Sequence, residues 1–184
     1  LLYPKYDAII AQSNYMKQDL INYFGASNLK IKTINNPVNI EAIQFLANKE
    51  NLTTNFNPKK INLLAVGRLE KVKGFDMLLE VMSKLDNQYS LTTLGDGTEK
   101  LELNNQISRL FLEHKVRILP FQSNPYAFMK EADFLIMSSR VEGFPNVVLE
   151  ANACGTPVVA FDAPGGVGEI IIENFNGLLS NCCS

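Results

Sequence analysis

The chain has 184 residues and a net charge of −2, and 46% of its residues are hydrophobic while 20% are charged. This composition is typical of a globular protein. The nearly balanced charge excludes a general basic surface for nucleic acid or anionic lipid, so any anion site must be local. No apolar run reaches the ~18 residues that a membrane-spanning helix requires.

Three cysteines, Cys154, Cys182 and Cys183, form neither a disulfide framework nor a metal-ligand spacing, which favours a reducing compartment. Cys154 falls in an apolar helical segment, and we expect it to be a core residue. The first residue is Leu rather than Met, so we interpret the chain as a piece of a longer protein. A missing targeting segment therefore carries no weight.

The first third of the chain differs from the rest. Residues 1–35 predict a strand (6–13), a helix (15–25) and a second strand (30–38), which we interpret as the closing β-α-β unit of a preceding domain. Residues 36–60 are polar, rich in Asn and loosely helical, and we interpret them as an interdomain linker. One continuous domain is the alternative interpretation.

Residues 61–184 alternate short apolar strands with helices. The predicted strands are 61–67, 89–95, 116–121, 133–139 and 156–162, and the predicted helices are 75–85, 98–113, 125–132 and one that begins at Pro145. This alternation predicts an α/β fold with a doubly wound parallel sheet covered on both faces. Ligands of such sheets bind at the carboxyl ends of the strands. The loops expected there are 67–74, 95–98, 120–125, 138–146 and 162–168.

The loop "VGRLEKVKG" (66–74) follows the first of these strands and carries Arg68, Lys71 and Lys73. A helix opens directly after it, and the positive end of a helix favours anions. Arg and Lys side chains would turn this preference into a phosphate clamp. A solvated basic loop explains the same residues equally well.

The loop "LGDGTEK" (94–100) follows the next strand and supplies Gly95 and Gly97, where the backbone can approach a ligand closely. Gly67 offers the same opportunity at the end of the preceding strand. Lys100 occupies the third position of G-x-G-x-x-G, so a dinucleotide fingerprint is absent. A simple tight turn is the alternative for these glycines.

The stretch "RVEGFPNVVLEANACGTPVV" (140–159) places Glu142 before a helix that starts near Pro145, and Glu150 inside that helix. The backbone N–H groups of Asn146, Val147 and Val148 are expected to be unpaired and directed at the ligand. Two acids that accept hydroxyl groups on either side of an anion-binding helix end predict a ligand with sugar, phosphate and sugar in series. The alternative is that Glu142 caps the helix and Glu150 lies on a solvated face.

With these loops in order, the chain resembles glycosyltransferase family 4, the retaining enzymes of the GT-B architecture, and mainly their C-terminal donor-binding domain. The matching segments are "VGRLEKVKGFDMLL", "LGDGTEKLEL", "VRILPF", "ADFLIMSSRVEGFPNVVLEANACGTPVVAFDAPGG", "GEII" and "NGLL". Glu142 and Glu150 match the family's E-x7-E pair. The segment 6–39 is similar to the end of the family's N-terminal domain and the crossing between domains.

The resemblance implies three catalytic residues. Arg68 and Lys73 are expected to hold the donor diphosphate and neutralise it as it leaves, and Glu142 to hold the transferred sugar. Among the substrate-binding residues, Glu150 is expected to bind the ribose. The backbone of Phe144, Pro145, Asn146 and Val147 is expected to contact the sugar, and Gly67, Gly95 and Gly97 the rest of the donor. The base is expected near 117–121.

The resemblance also implies a metal-independent reaction without a cofactor, in which a nucleoside-diphosphate sugar of the UDP or GDP type is the donor. Retention is expected to proceed by front-face attack, with the leaving phosphate helping to take the acceptor proton. We expect Ser139 to shape the loop and His114, the only histidine, to lie at a surface helix end. A glycan or lipid-linked acceptor would be bound by the N-terminal domain, which is mostly absent.

The domains predicted are 1–35 (end of the acceptor domain), 36–60 (linker) and 61–184 (donor domain, truncated at its C-terminus). We expect the piece alone to bind a donor weakly and to be inactive. The expected setting is bacterial surface-polysaccharide assembly in the cytoplasm, with peripheral association at the inner face of the membrane left open. The alternatives are a nucleotide-sugar epimerase of the same architecture and a non-catalytic scaffold, although retention of Arg68, Lys73, Glu142 and Glu150 argues against decay.

Overall fold

A computed structural model describes residues 6–24, 31–49 and 54–181. Its first unit is a parallel pair of strands, β1 (Ile9–Ala11) and β2 (Ile31–Thr33), joined through helix α1 (Asn14–Phe24). This is the predicted β-α-β order with shorter strands. The ends predicted at Gly25 and Lys30 lie outside the described residues.

The second unit is a parallel sheet of six strands in the order β5-β4-β3-β6-β7-β8. These strands are β3 (Ile61–Val66), β4 (Tyr89–Leu94), β5 (Val116–Leu119), β6 (Phe134–Met137), β7 (Val158–Phe161) and β8 (Gly177–Ser180). The helices are α3 (Phe75–Lys84), α4 (Lys100–Arg109), α5 (Tyr126–Glu131), α6 (Asn146–Ala153) and α7 (Val167–Ile170). The predicted doubly wound α/β fold is confirmed.

Both faces of the sheet are buried, which explains why its strands read as nearly continuous apolar runs. In β3, Leu63 and Ala65 belong to one core cluster with residues of α3 and α4, whereas Leu64 belongs to a second cluster with residues of α5 and α6. Side chains of a strand alternate between faces, so a single strand serves both cores. The helices therefore lie on both faces of the sheet and leave its carboxyl edge to the loops.

Helix α2 (Ile40–Ala47) lies inside the segment predicted to be a linker. Asn39 caps it, because its side-chain oxygen accepts a hydrogen bond from the Ala42 N–H at 2.9 Å. The helix packs against α5 and α6 of the second unit. The segment thus contains a regular, docked helix, while the division of the chain into domains at 35 and 60 stays a prediction.

The largest differences from the sequence prediction are in α4, in β8 and in the short helix α7, which was not predicted. Helix α4 was predicted over 98–113 but ends at Arg109, because Phe111 adopts a left-handed conformation with φ of 55° and the Leu112 N–H turns back to the Ile107 carbonyl. Strand β8 was not predicted at all, because four residues between asparagines give too short a period-2 signal. Within the described part of the chain, no helix is long and apolar enough to cross a membrane.

Candidate functional site

The candidate site lies at the carboxyl edge of the sheet, where the loops after β3, β4 and β6 meet. The Gly67 N–H donates to the Leu94 carbonyl at 3.0 Å, and the Gly95 N–H donates to the Leu119 carbonyl at 3.1 Å. A methyl group at Gly95 would lie 1.9 Å from the Gly67 carbonyl oxygen, so the two loops can approach this closely only with glycine there. The parallel topology thus brings the predicted loops together.

At this edge Lys73 and Glu142 form an ion pair. The Lys73 Nζ lies 2.7 Å from the Glu142 Oε1, and the side chains are only 25% and 10% exposed, respectively. The Ser139 hydroxyl donates to the same Glu142 oxygen at 2.6 Å. Glu142 therefore does not cap helix α6, whose N-cap is Pro145 without a side-chain cap. The bond from Ser139 agrees with the expectation that this residue shapes the loop.

Arg68 has a different environment from Lys73. Its side chain is 73% exposed, and its Nη1 lies 2.7 Å from the Glu70 Oε1. Exposed pairs of this kind contribute about 0–1 kcal/mol, so a ligand can replace Glu70 at little cost. Arg68 lines a cavity of about 330 Å³. The other residues that line it are Val66, Gly67, Leu94, Gly95, Asp96, Phe121, Gln122 and Pro125.

Lys71, the third cation of the loop 66–74, is paired with an acid of its own. The Lys71 Nζ lies 2.8 Å from the Asp76 Oδ2, and Arg140 binds both oxygens of Asp76 at 2.8 Å. Although partial burial raises the pKa of Asp76, the hydrogen bonds from Arg140 and Lys71 outweigh it and hold the pKa well below its usual range. Arg140 also donates to the Lys71 carbonyl at 2.5 Å, and so ties the loops after β3 and β6 together.

The first turn of α6 offers fewer amides than predicted. The Val148 N–H donates to the Pro145 carbonyl at 3.1 Å, so it is paired inside the turn. The Asn146 Oδ1 accepts a hydrogen bond from the Asn36 Nδ2 at 2.8 Å, so this side chain is held by the segment that leaves the first unit. Phe144 and Val147 pack their side chains against the core, which leaves only their backbone for a ligand.

The loop 162–168, expected from the sequence at the carboxyl edge of the sheet, braces Glu142, a role that was not predicted. The Glu142 N–H donates to the Pro164 carbonyl at 3.0 Å, and the Gly166 N–H donates to the Gly143 carbonyl at 2.8 Å. Gly165 has φ of +135°, and a methyl group there would lie 1.6 Å from the Glu142 carbonyl oxygen. The signal that could have found this brace is the pair of glycines directly after Pro164, at the end of a predicted strand.

Glu150 lies half-buried on α6, and burial raises its pKa. Its carboxylate is close enough to Tyr126 and Cys154 to raise the pKa of both groups, behind the larger effect of burial. Within the described ranges, no protein donor reaches the Glu150 carboxylate. This side chain is therefore neither a capping group nor a member of an ion pair, and it retains its full capacity to accept hydrogen bonds.

Cys154 is partly buried against the core, and its Sγ donates to the Tyr126 carbonyl at 3.7 Å. Burial raises the pKa of the Cys154 thiol to about 11, so the group is protonated at neutral pH. It behaves as the core residue that the sequence predicts. Cys182 and Cys183 lie outside the described residues.

The segment 117–121 divides between two ends of the sheet. Arg117 donates to the Thr92 hydroxyl at 2.8 Å and to the Thr54 carbonyl at 2.5 Å, near the amino ends of the strands. Phe121 lies at the carboxyl edge, where its ring is 74% exposed beside the Arg68 cavity. The Phe121 N–H donates to the Asp96 Oδ2 at 3.0 Å, which fixes the loop. Only the end of the predicted base-binding segment thus reaches the cavity.

The remaining predicted residues have structural environments. Gly97 packs against the backbone of Leu69, since a methyl group at Gly97 would lie 2.4 Å from the Leu69 carbonyl oxygen. His114 is exposed after α4, with its Nε2 at 2.8 Å from the Asn87 Oδ1, as expected of a surface position. Within the described ranges, no group of three or more His, Cys, Asp or Glu side chains is arranged to hold a metal ion.

Comparison with known proteins gives the family. The model of the family described as Glycosyl transferases group 1 matches residues 48–184. The chain belongs to this family. The match includes every predicted site residue, from Gly67 to Glu150.

Relatives of this group 1 chain act in the assembly of glycans. It is 35% identical over 184 residues to the N-acetylgalactosamine-N,N'-diacetylbacillosaminyl-diphospho-undecaprenol 4-alpha-N-acetylgalactosaminyltransferase of Campylobacter jejuni, with 97% of this chain and 48% of that protein covered. It is 36% identical over 120 residues to the amylovoran biosynthesis glycosyltransferase AmsD of Erwinia amylovora, with 65% of this chain and 34% of that protein covered. The chain thus spans about half the length of these relatives or less.

A solved structure has the same fold. HepE of Anabaena in complex with UDP superposes with a TM-score of 0.81 at 27% identity, with 95% of this chain and 50% of that chain covered. The six-stranded parallel sheet therefore corresponds to the Rossmann-like domain of GT-B glycosyltransferases.

Proposed function

We propose that the protein carrying this chain transfers a sugar, with retention, from a nucleoside-diphosphate donor to a glycan or lipid-linked acceptor in surface-polysaccharide biosynthesis. The observation that carries the proposal is the ion pair between Lys73 and Glu142, which lies at the carboxyl edge of the sheet next to Gly67. A cation and a hydroxyl-accepting acid in contact match the junction between the diphosphate and the transferred sugar.

The diphosphate is proposed to lie between Arg68 and Lys73. Arg68 exchanges the exposed carboxylate of Glu70 for phosphate oxygens, which it can bind in pairs. Lys73 is less exposed and already neutralises Glu142, so it separates that carboxylate from the incoming phosphates. Both cations then stabilise the negative charge that develops on the leaving diphosphate.

The transferred sugar is proposed to bind at Glu142, which accepts hydrogen bonds from its hydroxyl groups. Ser139 and Lys73 orient the carboxylate. The bond from the Glu142 N–H to the Pro164 carbonyl and the bond from the Gly166 N–H to the Gly143 carbonyl fix the backbone around it. The backbone N–H groups of Asn146 and Val147, in the first turn of α6, complete the contact. A rigid acceptor of this kind distinguishes hydroxyl positions, because a displaced hydroxyl leaves a partly buried carboxylate unpaired.

The nucleoside is proposed to bind at Glu150 and Phe121. Glu150 is half-buried and has no protein donor among the described residues, so the two ribose hydroxyls would satisfy it. The exposed ring of Phe121 offers a flat surface for the base. The UDP complex of HepE, whose sequence is 27% identical to this chain, supports a UDP-type donor.

The reaction is proposed to take place on one face of the sugar. The bond between the anomeric carbon and the phosphate oxygen breaks, the acceptor oxygen attacks from the same face, and the acceptor proton passes to the leaving phosphate. Glu142 does not act as the nucleophile in this scheme: Lys73 and Ser139 hold its Oε1, and the carboxylate accepts hydrogen bonds from the sugar. The acceptor would be bound by a further domain of the protein, and the protein would associate peripherally with the inner face of the membrane. The chain alone would bind the donor weakly and would not turn it over.

The experiment is a titration of the full-length protein with UDP, GDP and ADP, followed by an assay with the sugar donors of the preferred nucleotide and determination of the product's anomeric configuration by NMR. We expect UDP to bind about tenfold more tightly than the others, as a site that hydrogen-bonds its ligand discriminates strongly. In the transfer assay, Lys73→Ala should lose turnover. Lys71→Ala, which changes an exposed lysine of the same loop, is the matched control. Binding of no nucleotide, or an inverted product, would contradict the proposal.

A further inference from the structure

The acid Glu169 connects the two units of the chain. It lies exposed in α7 of the second unit, and its Oε2 accepts hydrogen bonds from the Asn14 backbone N–H at 3.0 Å and from the Asn14 Nδ2 at 3.1 Å. Its Oε1 accepts from the Tyr15 N–H at 2.9 Å. These amides open helix α1 and have no acceptor inside that helix. Ser13 caps the same turn locally, because its hydroxyl accepts from the Met16 N–H at 3.0 Å.

The position of a carboxylate at this helix end is electrostatically favourable, because the N-terminus of a helix carries partial positive charge. All three bonds to Glu169 depend on the seating of α1 against the second unit. A movement of the first unit by more than the length of a hydrogen bond would break them together. The hydrogen bonds of Glu169 therefore depend on the relative position of the two units.

The turn that precedes Glu169 is the turn that braces Glu142. The Glu169 N–H donates to the Gly166 carbonyl at 3.2 Å, and the Gly166 N–H donates to the Gly143 carbonyl at 2.8 Å. Pro164 accepts from the Glu142 N–H at 3.0 Å. A continuous set of hydrogen bonds thus runs from the first turn of α1, through 164–169, to the loop that carries Glu142.

Close packing at the same place leaves little freedom between the units. A methyl group at Gly143 would lie 3.3 Å from the Met16 Cε, and one at Gly166 would lie 2.9 Å from the Ser13 Cβ. A change in the position of α1 therefore displaces the backbone next to Glu142, both through these contacts and through the hydrogen bonds of Glu169.

We propose that Glu169 is a positioning residue that couples the seating of helix α1 against the second unit to the position of Glu142. When α1 is seated, the carboxylate anchors the 164–169 turn, and that turn holds the Glu142 loop in place. When α1 moves away, the anchor is lost and the loop loosens. The consequence for transfer rests on the proposed function, whereas the coupling itself does not.

The coupling is tested by amide hydrogen exchange in the full-length protein with Glu169→Ala. Loss of the acceptors should speed exchange in the first turn of α1 and also at Glu142 and Gly166, by about fivefold or more. Glu173→Ala removes an exposed acid four residues further along the chain and is the matched control, for which no change is expected. Faster exchange in α1 with unchanged exchange at Glu142 and Gly166 would overturn the coupling.

Catalysis provides a second readout that a purely structural role would not move. Glu169→Ala is expected to lower kcat by about tenfold, because small misplacements of a reacting group are costly. The dissociation constant for UDP should stay within about twofold of the wild type, because the nucleotide is held by groups outside the braced loop. Glu169→Gln should restore part of kcat, since its amide oxygen still accepts from one of the two residues. An unchanged kcat, or a loss of UDP affinity as large as the loss of kcat, would overturn the positioning role.

The test of the coupling can be separated from the test of the proposed function, and a second variant checks it. If the wild-type protein transfers no sugar, the proposed function fails while hydrogen exchange still decides the coupling. Asn14→Ala removes one of the three bonds to Glu169 and should give a smaller effect in the same direction. An effect of Asn14→Ala confined to α1 would count against the coupling.

Discussion

Glu142 and Glu150 belong to one sequence motif, yet they lie in different environments. Glu142 is paired with Lys73, receives the Ser139 hydroxyl and is braced through its backbone by the 164–166 turn. Glu150 is half-buried beside Tyr126 and Cys154, with no donor from the described part of the chain and with a raised pKa. One acid is electrostatically neutralised before a ligand arrives, and the other is not.

Under the proposed function, this difference determines how the two ends of a donor would be held. At the Glu142 end, a ligand must share a carboxylate that already has two partners, so geometry decides which hydroxyl fits. At the Glu150 end, the ligand supplies the missing hydrogen bonds and removes part of the cost of burial, so binding energy is gained there. The sugar end therefore favours selection and transfer, and the nucleoside end favours affinity.

The largest expected effect is at the paired end. Lys73→Ala removes the cation that is proposed to lie next to the leaving diphosphate. Among the described residues, it leaves the partly buried Glu142 with Ser139 as its side-chain partner. We expect turnover to fall by about 10²- to 10³-fold, the size seen when a group that stabilises developing charge is lost. Steady-state transfer assays measure this, and thermal unfolding of the same variant shows whether it is folded. Turnover within threefold of the wild type would remove Lys73 from the site.

The second effect is at the unpaired end and depends on pH. Because burial raises its pKa, Glu150 stays protonated to a higher pH than an ordinary glutamate, and its protonated form favours the folded state at low pH. That contribution is lost as the pH rises through the raised pKa, where the ionised form becomes available for two ribose hydroxyls. UDP affinity should therefore rise with pH across this range.

Calorimetric titrations of UDP as a function of pH test this prediction. Glu150→Gln is the matched variant, because it keeps the shape but cannot ionise, and any remaining pH dependence then belongs to the nucleotide. We expect Glu150→Gln to weaken UDP binding by about tenfold at neutral pH, as expected for hydrogen bonds to a charged group. Identical pH profiles for wild type and variant would contradict the role of Glu150.

The smallest effect is expected at Lys71. It lies two positions from Lys73 in the same loop, but its exposed side chain is paired with Asp76, which also keeps both bonds from Arg140. Lys71→Ala should change the free energy of unfolding by about 0.2–1 kcal/mol and leave UDP affinity and turnover unchanged within about twofold. Chemical denaturation and the same transfer assay measure both. A large loss of turnover would mean that the loop acts as a single basic surface.

The apolar pattern of the sequence was sufficient for five of the six strands of the sheet and for most helices, because strands buried on both faces and amphipathic helices have strong signals. Leu63, Leu64 and Ala65 formed a run that could only be a buried strand, whereas the four residues of β8 carried too little pattern. The left-handed turn at Phe111 ends α4 early, and the sequence has no glycine at this position that would have predicted it. The helix α2 in 36–60 depends on docking against α5 and α6.

The position of the candidate residues in the fold could be predicted from the sequence, whereas their hydrogen-bond and ion-pair partners could not. Spacing placed Lys73 and Glu142 in loops at one sheet edge, but could not distinguish Lys71 from Lys73, since both are lysines of the same loop. Only the fold shows that one meets Asp76 and the other Glu142. The contacts of Glu169 with α1 join residues far apart in the chain, and no local pattern reports them.

We propose that Glu142 binds the transferred sugar and that Glu150 binds the nucleoside. The decisive measurement is calorimetric titration of UDP, which has the ribose but lacks the transferred sugar, into Glu142→Ala and Glu150→Ala. Glu142→Ala should bind UDP as tightly as the wild type or more tightly, because Lys73 is released for phosphate, while Glu150→Ala should bind about tenfold more weakly. Equal losses in the two variants, or a loss confined to Glu142→Ala, would contradict the division of the site.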